Sequence, residues 1–335
     1  MSVVPHSPWQ EGTDSEPSAP RAIAHRPLTT QRSALSTQHS ALSTPRDQAA
    51  ELRMLMEARP ALAEPRPVAG RSARVVAIAS GKGGVGKTNI AVNLSICLAR
   101  RGLRVALVDA DLGMANADVV MNVQSHFDLS HVVRGQRTID EVAVNVERGL
   151  RLIAGASGLA SVADLNPYAR HELIRELGGL ETQSDIVVLD CGAGISQNVL
   201  AFAHSADELL IVTTPEPTAL TDAYALIKVL SRAPSPPPMG LIVNQAASAR
   251  EGRQVGQRVA SVAARFLGVS LATAGLVLQD RHVGLAVRQR IPFIEKYPDC
   301  PASTCIATLA QRVDRAVSEG SCRPGFFGRV ARFFY

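Results

Sequence analysis

The sequence predicts a doubly wound α/β fold: a mostly parallel β-sheet with helices on both faces. Three observations predict it. From Arg74 onward, short apolar runs alternate with stretches of helical periodicity. A glycine-rich loop, Ser80-Gly-Lys-Gly-Gly-Val-Gly-Lys-Thr88, lies between the first apolar run and the first helix. Two later runs reach aspartates, Asp109 and Asp190, and sheets of this kind bind ligands at the carboxyl ends of their strands.

Residues 1–45 are rich in Ser, Thr, Pro, Gln and Ala, and repeat Ser33-Ala-Leu-Ser-Thr37 as Ser40-Ala-Leu-Ser-Thr44. Such a composition buries too little apolar surface to order itself, so disorder is expected. Residues 46–59 read as a helix. Asp47 suits its N-cap, Leu52, Leu55 and Met56 share one face, and Pro60 ends it. A linker carrying Pro65 and Pro67 is expected over 60–73. The main domain is expected over 74–318. Its first strand is Val75–Ala79, its first helix runs from Thr88 to Arg101 before Gly102, and its second strand is Leu103–Val108. Further strands are expected at Leu150–Ala154, Ile186–Leu189, Glu208–Thr213, Met239–Val243 and Thr273–Leu278.

Residues 319–335 form a tail of different character. Phe326, Phe327, Phe333, Phe334 and Tyr335 crowd into it, although the chain is only 4% aromatic. At helical spacing Phe326, Phe327, Val330, Phe333 and Phe334 share one arc, with Arg329 and Arg332 on the other side. A small cationic amphipathic helix suits an anionic membrane surface, and residues 326–335 are expected to engage one. A terminal helix docked on its own core is the plainer alternative.

Composition narrows the classes. Hydrophobic residues make up 46% of the chain, enough for a full core, and the net charge is +5, carried mainly by arginine. That charge fits either an anionic partner or an arginine-rich composition alone. The cysteines, Cys97, Cys191, Cys300, Cys305 and Cys322, form no Cys-x-x-Cys pair and show no metal-ligand spacing, so reduced thiols are expected. No apolar run reaches the length of a spanning helix. The expected location is therefore cytoplasmic, with reversible residence at the inner face of the cell membrane.

The loop carries the strongest chemistry. Gly81, Gly83, Gly84 and Gly86 let backbone N–H groups close around phosphate oxygens, and the following helix adds its positive N-terminus. Lys87 sits where it can neutralise the β- and γ-phosphates, and Thr88 offers a hydroxyl to Mg²⁺. Lys82 is unusual, because an ordinary loop of this kind needs no cation at its start; it suggests a site completed by a second subunit. Asp109 and Asp111 project to the same side of an extended segment, so one could orient a water and the other support a metal shell. A turn or helix cap is the plainer reading of that Asp-x-Asp. Asp190, followed by Cys191-Gly-Ala-Gly194, suits a Mg²⁺ contact beside a mobile switch.

On these motifs the chain resembles the MinD/ParA family of deviant-Walker-A ATPases, a SIMIBI-type branch of the P-loop NTPases, over about residues 74–318. The resemblance implies ATP and Mg²⁺ as cofactors and an ATP-dependent homodimer. It implies that Lys82 reaches the other subunit's phosphates, that Lys87 holds its own, and that Asp111 orients the hydrolytic water. It places Gly81, Gly83, Gly84, Val85, Gly86, Lys87, Thr88 and Asn89 around the nucleotide, Asn244 at the adenine edge, and Thr88, Asp109 and Asp190 on the metal side.

The segments Asp109–Asn116, Asp190–Ser196 and Glu216–Lys228 resemble those of the family's FlhG branch. That branch regulates flagellar number and placement, with basal-body or transcription-regulator proteins among its expected partners. Asp47-Gln-Ala49 followed by Leu52-Arg53 resembles its activator motif for the SRP-type GTPase FlhF, which assigns that contact to residues 47–59. The chain departs from the pattern at Cys191, where Thr is usual, at Leu278, where Pro is common, and in its 1–45 extension. A ParA-type role in positioning DNA or protein cargo shares the site. It would need a basic surface, to which Arg232, Arg250, Arg253 and Arg258 could contribute, but it leaves the aromatic tail unexplained, which argues against nucleic acid as the partner.

Overall fold

The computed structural model describes residues 72–111, 113–147, 149–156, 165–233, 235–319 and 325–334. All belong to one unit, Leu62–Tyr335; the other, Met1–Ala61, lies outside the described residues, and with it the expected helix over 46–59.

An eight-stranded sheet in the order β3-β4-β2-β5-β1-β6-β7-β8 organises this unit. Its strands are β1 (Arg74–Ser80), β2 (Val105–Ala110), β3 (Ala143–Glu147), β4 (Leu150–Ile153), β5 (Ile186–Ala193), β6 (Glu208–Thr213), β7 (Met239–Ala246) and β8 (Ala272–Leu278). Every neighbouring pair is parallel except β3/β4, which is an antiparallel edge hairpin. The edge strand β3 is absent from the sequence reading because Ala-Val-Asn-Val-Glu is short and half-buried.

The central strands are buried on both sides, as parallel strands under two helical layers must be. In β1, Val75, Ala77 and Ala79 join one core cluster, and Val76 and Ile78 join the other. The series of helices begins with α1 (Lys87–Arg100), α2 (Ala117–Met121) and the short helices α3 (Leu129–Val133) and α4 (Ile139–Val142). It continues with α5 (Pro167–Gln183), α6 (Gln197–Ser205), α7 (Pro217–Ser231), α8 (Ala249–Leu267), α9 (Arg281–Arg288), α10 (Phe293–Lys296), α11 (Pro301–Ser318) and α12 (Phe326–Phe333). None of the described helices is long and apolar enough to cross a membrane.

The tail differs from its membrane expectation. Helix α12 forms, but its apolar arc faces inward: Phe326, Phe327 and Val330 are buried in the core cluster beside α5 and α6. Arg329, expected on the solvent side, donates to the Ser205 carbonyl at 2.8 Å and pairs with Asp207 at 3.2 Å. The Phe327 N–H donates to buried Glu181 at 3.0 Å, and the guanidinium of Arg170 donates to the Phe334 carbonyl at 3.2 Å. The reason is energetic: burying each large apolar side chain stabilises by about 1.5–3 kcal/mol, and a groove on the domain supplies that burial. Phe333 alone of this arc stays well exposed. While docked, the helix has no free apolar face for a bilayer.

Candidate nucleotide-binding site

Strand β1 lies at the centre of the sheet, where the chain's progression reverses, and the loop that follows it opens at the carboxyl edge. Helix α1 begins at Lys87, with Gly86 as its N-cap in the left-handed region at φ 92°. Only glycine fits there easily, and a Cβ would also lie 2.5 Å from the Asn244 Nδ2. At Gly81 the constraint is space: a Cβ would lie 2.1 Å from the Asp222 carbonyl oxygen on α7. The loop is thus clasped between α7 and the end of β7. Gly83 and Gly84 are exposed at its crest, Val85 is buried beneath it, and Asn89 lies in the first turn of α1.

The structure brings the expected acidic residues together. Asp190 on β5 is the register partner of both Ile78 on β1 and Asp109 on β2. Asp190 is buried, and its Oδ1 has no hydrogen-bond partner. Burial, reinforced by the neighbouring charge of Asp109, pushes its carboxyl up to about 7, against the opposing pull of the Thr88 hydroxyl and the Lys87 ammonium. Lys87 is itself buried, at 8% exposure. An orphaned carboxylate oxygen, the Thr88 hydroxyl close to the same carboxyl and a second acid alongside form an all-oxygen donor set, which fits Mg²⁺.

Asp109 serves as the cap that an Asp-x-Asp at a strand end suggests. Its Oδ2 accepts the N–H groups of Asn116 and Ala117 at 2.8 and 2.9 Å, capping α2. Its Oδ1 accepts the Asp111 N–H at 3.1 Å. Burial raises its carboxyl above the ordinary range even so. The cap reading of Asp-x-Asp therefore describes Asp109, which fixes the loop carrying Asp111 and stands in register with Asp190. Asp111 is only partly buried, and its Oδ1 accepts the N–H groups of Gly113 and Met114 at 3.3 and 3.2 Å.

Asn244 is engaged at both ends. Its Nδ2 donates to the Val85 carbonyl at 2.7 Å, and its Oδ1 accepts the Gln245 N–H at 2.9 Å. In this structure it braces the phosphate loop, so contact with an adenine would require the amide to turn away.

Lys82 reaches outward from the loop. Its ammonium donates to Glu216 Oε1 and to Thr218 Oγ1, both at 2.7 Å, and the lysine holds the Glu216 carboxyl below its usual range. The sequence reading noted the Glu216–Lys228 stretch but assigned Glu216 and Thr218 no role. The available signal was an acidic residue and a hydroxyl just past β6, at the same sheet edge as the loop.

Comparisons with known proteins agree with this fold. A family model described as an AAA domain matches residues 73–235. MinD of Pyrococcus horikoshii OT3, solved with Mg-ADP, superposes with a TM-score of 0.62 at 26% identity, over 75% of this chain and 100% of that one. The antiactivator FleN of Pseudomonas aeruginosa is 39% identical over 241 residues, which cover 72% of this chain and 86% of that protein. The chain belongs to the MinD/ParA family of P-loop ATPases. Another relative in this family, the flagellum site-determining protein YlxH of Helicobacter pylori, is 39% identical over 57% of this chain and 64% of its own length.

Proposed function

We propose that this chain is an ATP-driven dimerising switch that regulates flagellar number and placement and hydrolyses ATP to ADP and phosphate. The observation that carries the reading is Lys82. It sits at the mouth of a phosphate loop that already holds Lys87, and its ammonium points to α7 rather than into its own loop. A second loop lysine with that orientation suits phosphates bound by another copy. The FlhG-like flagellar role is supported by the similarity to FleN and YlxH.

Each residue then has a defined task. Gly81, Gly83, Gly84, Val85, Gly86 and Asn89 shape the phosphate cradle at the N-terminus of α1, and Lys87 neutralises the phosphates. Thr88 and Asp190 hold Mg²⁺, with Asp109 behind them, and the ion supplies charge neutralisation to the triphosphate when bound. Asp111 orients the attacking water from the loop that Asp109 caps. Lys82 exchanges Glu216 and Thr218 for the other subunit's phosphates. Asn244 releases the Val85 carbonyl to meet the adenine edge.

Input and output lie at the chain's ends. Residues 47–59 are proposed to activate the SRP-type GTPase FlhF, and basal-body or transcription-regulator proteins to read the dimer. Residues 326–335 are proposed to engage an anionic membrane surface after α12 leaves its groove, placing the protein at the inner face of the cell membrane in the ATP state. Two copies of a weak anchor in one dimer bind far better than one, by effective concentration.

Sedimentation with anionic liposomes in ATP or ADP, comparing the full chain with one ending at Cys322, tests this. ATP-dependent pelleting that is lost on truncation supports the reading; pelleting unchanged by truncation contradicts it. The ParA-type alternative rests on Arg232, Arg250, Arg253 and Arg258, all exposed. It predicts ATP-dependent, salt-sensitive binding to nonspecific DNA.

A further inference from the structure

The fold assembles a second cluster of donors that the linear spacing of the cysteines does not reveal. Asp280 ends the turn after β8 and caps α9, His282 lies in the first turn of α9, and Cys300 caps α11. One ligand atom from each, a carboxylate oxygen, a ring nitrogen and a thiol sulfur, all lie within 4.8 Å of one another. We propose that Asp280, His282 and Cys300 form a site for a thiophilic divalent cation, Zn²⁺, that fastens the β8–α9 turn to the N-terminus of α11.

The donor chemistry selects the metal. Sulfur, nitrogen and oxygen ligands in a three-residue set, with a fourth position left to water, suit Zn²⁺ and exclude the all-oxygen shells of Mg²⁺ and Ca²⁺. Zinc bonds of about 2.0–2.3 Å place tetrahedral ligands roughly 3.3–3.8 Å apart, so a cluster spanning 4.8 Å closes with small side-chain shifts. His282 Nδ1 and Asp280 Oδ1 stand 2.8 Å apart, so the ion would replace the hydrogen bond between them.

The surroundings hold the donors in place. Asp280 Oδ1 accepts the His282 N–H at 2.9 Å and Oδ2 accepts the Ala302 N–H at 3.3 Å. Cys300 is buried, with its sulfur 3.3 Å from the Ser303 hydroxyl. The His282 ring packs against Tyr297 with centroids 4.7 Å apart.

The position gives the ion a consequence. Next to Asp280, Gln279 donates its N–H to the Ala246 carbonyl at 2.8 Å, at the end of the strand that carries Asn244. A metal here would stiffen the turn flanking the phosphate loop's brace. This cluster shares no residue with the Thr88–Asp190 donors, so the two sites can be tested with separate variants.

The test is a titration of the purified full chain with Zn²⁺ alone, in competition with a chromophoric chelator, with Co²⁺ as a spectroscopic stand-in. One tight equivalent and a sulfur-to-cobalt charge-transfer band are expected. Cys300→Ser and His282→Gln should each weaken that equivalent by more than the roughly 10–100-fold cost of losing an outer partner. Serine is a favoured helix N-cap, so Cys300→Ser preserves the turn and keeps the comparison interpretable. Cys305→Ser, on the same helix, should leave binding unchanged. Absence of a stoichiometric equivalent, or one that survives Cys300→Ser and His282→Gln, would overturn the proposal and leave the cluster as a helix-capping network.

Discussion

Asp109 and Asp190 are register partners on neighbouring parallel strands, and they divide the work of a carboxylate pair. Asp109 spends both oxygens on backbone N–H groups, whereas Asp190 keeps one buried oxygen without a partner. The pair therefore combines a fixed support with an open, buried acceptor.

The first prediction concerns pH. Asp190 titrates near 3.8 when unfolded and at about 7 when folded. The folded state therefore binds this proton more tightly, and the stability it contributes is whole below pH 3.8 and lost as pH rises through about 7. In the absence of nucleotide, Asp190→Asn should unfold at a higher temperature than the native chain at about pH 8, and the difference should vanish in acid. The same variant should lose Mg²⁺-dependent ATP binding. In the native chain, Mg-ATP affinity should rise with pH through about 7, because cation and proton compete for one oxygen. Scanning calorimetry and nucleotide titrations across pH check both.

A second prediction separates the two lysines. Lys87→Ala should abolish nucleotide binding, since that ammonium is buried in its own loop. Lys82→Ala should leave ADP affinity within a factor of about five, because Lys82 makes an exposed contact with Glu216 and Thr218. It should instead remove dimer-stimulated hydrolysis by roughly a thousandfold, the scale of a cation supplied across an interface. Fluorescent-nucleotide titration and phosphate release measure the two arms.

The brace on the loop gives a third. Gly86→Ala places a Cβ 2.5 Å from Asn244 Nδ2 and forces a side chain into the left-handed region at φ 92°. ATP binding should be lost. Adding Asn244→Ala relieves the clash but not the backbone strain of about 1–2 kcal/mol, so the double variant should recover thermal stability in part. Unfolding midpoints of the three proteins test this.

Tail docking yields a fourth. Arg329 is held by Ser205 and Asp207, and Phe327 by Glu181. Glu181→Gln and Arg329→Ala should loosen α12 without altering its apolar arc. Both should raise liposome pelleting in ADP above that of the native chain. Deuterium exchange over residues 326–334 should rise in parallel.

Much of this molecule is legible in its sequence, and the limits have physical causes. The phosphate loop, the strands from β1 to β8 apart from β3, and the pairing of Asp109 with Asp190 follow from local pattern and parallel-sheet logic. The edge strand β3 lacks a clear apolar period, so only its pairing with β4 defines it. The amphipathic character of α12 was visible, but periodicity says which face is apolar and not what covers it. The same blindness to tertiary contact hid the hold of Glu216 on Lys82. It also hid the meeting of Cys300 with Asp280 and His282, from which most of α9 and all of α10 separate it along the chain.

The central claim is that ATP closes a dimer through Lys82, and that Asp111 reopens it by hydrolysis. Light scattering on Asp111→Ala with ATP, and on Asp111→Ala combined with Lys82→Ala, tests it most directly. The account predicts a stable dimer for the single variant in ATP, a monomer in ADP, and a monomer for the double variant even when ATP is bound. A nucleotide-loaded Asp111→Ala protein that stays monomeric, or a double variant that still pairs, would contradict it.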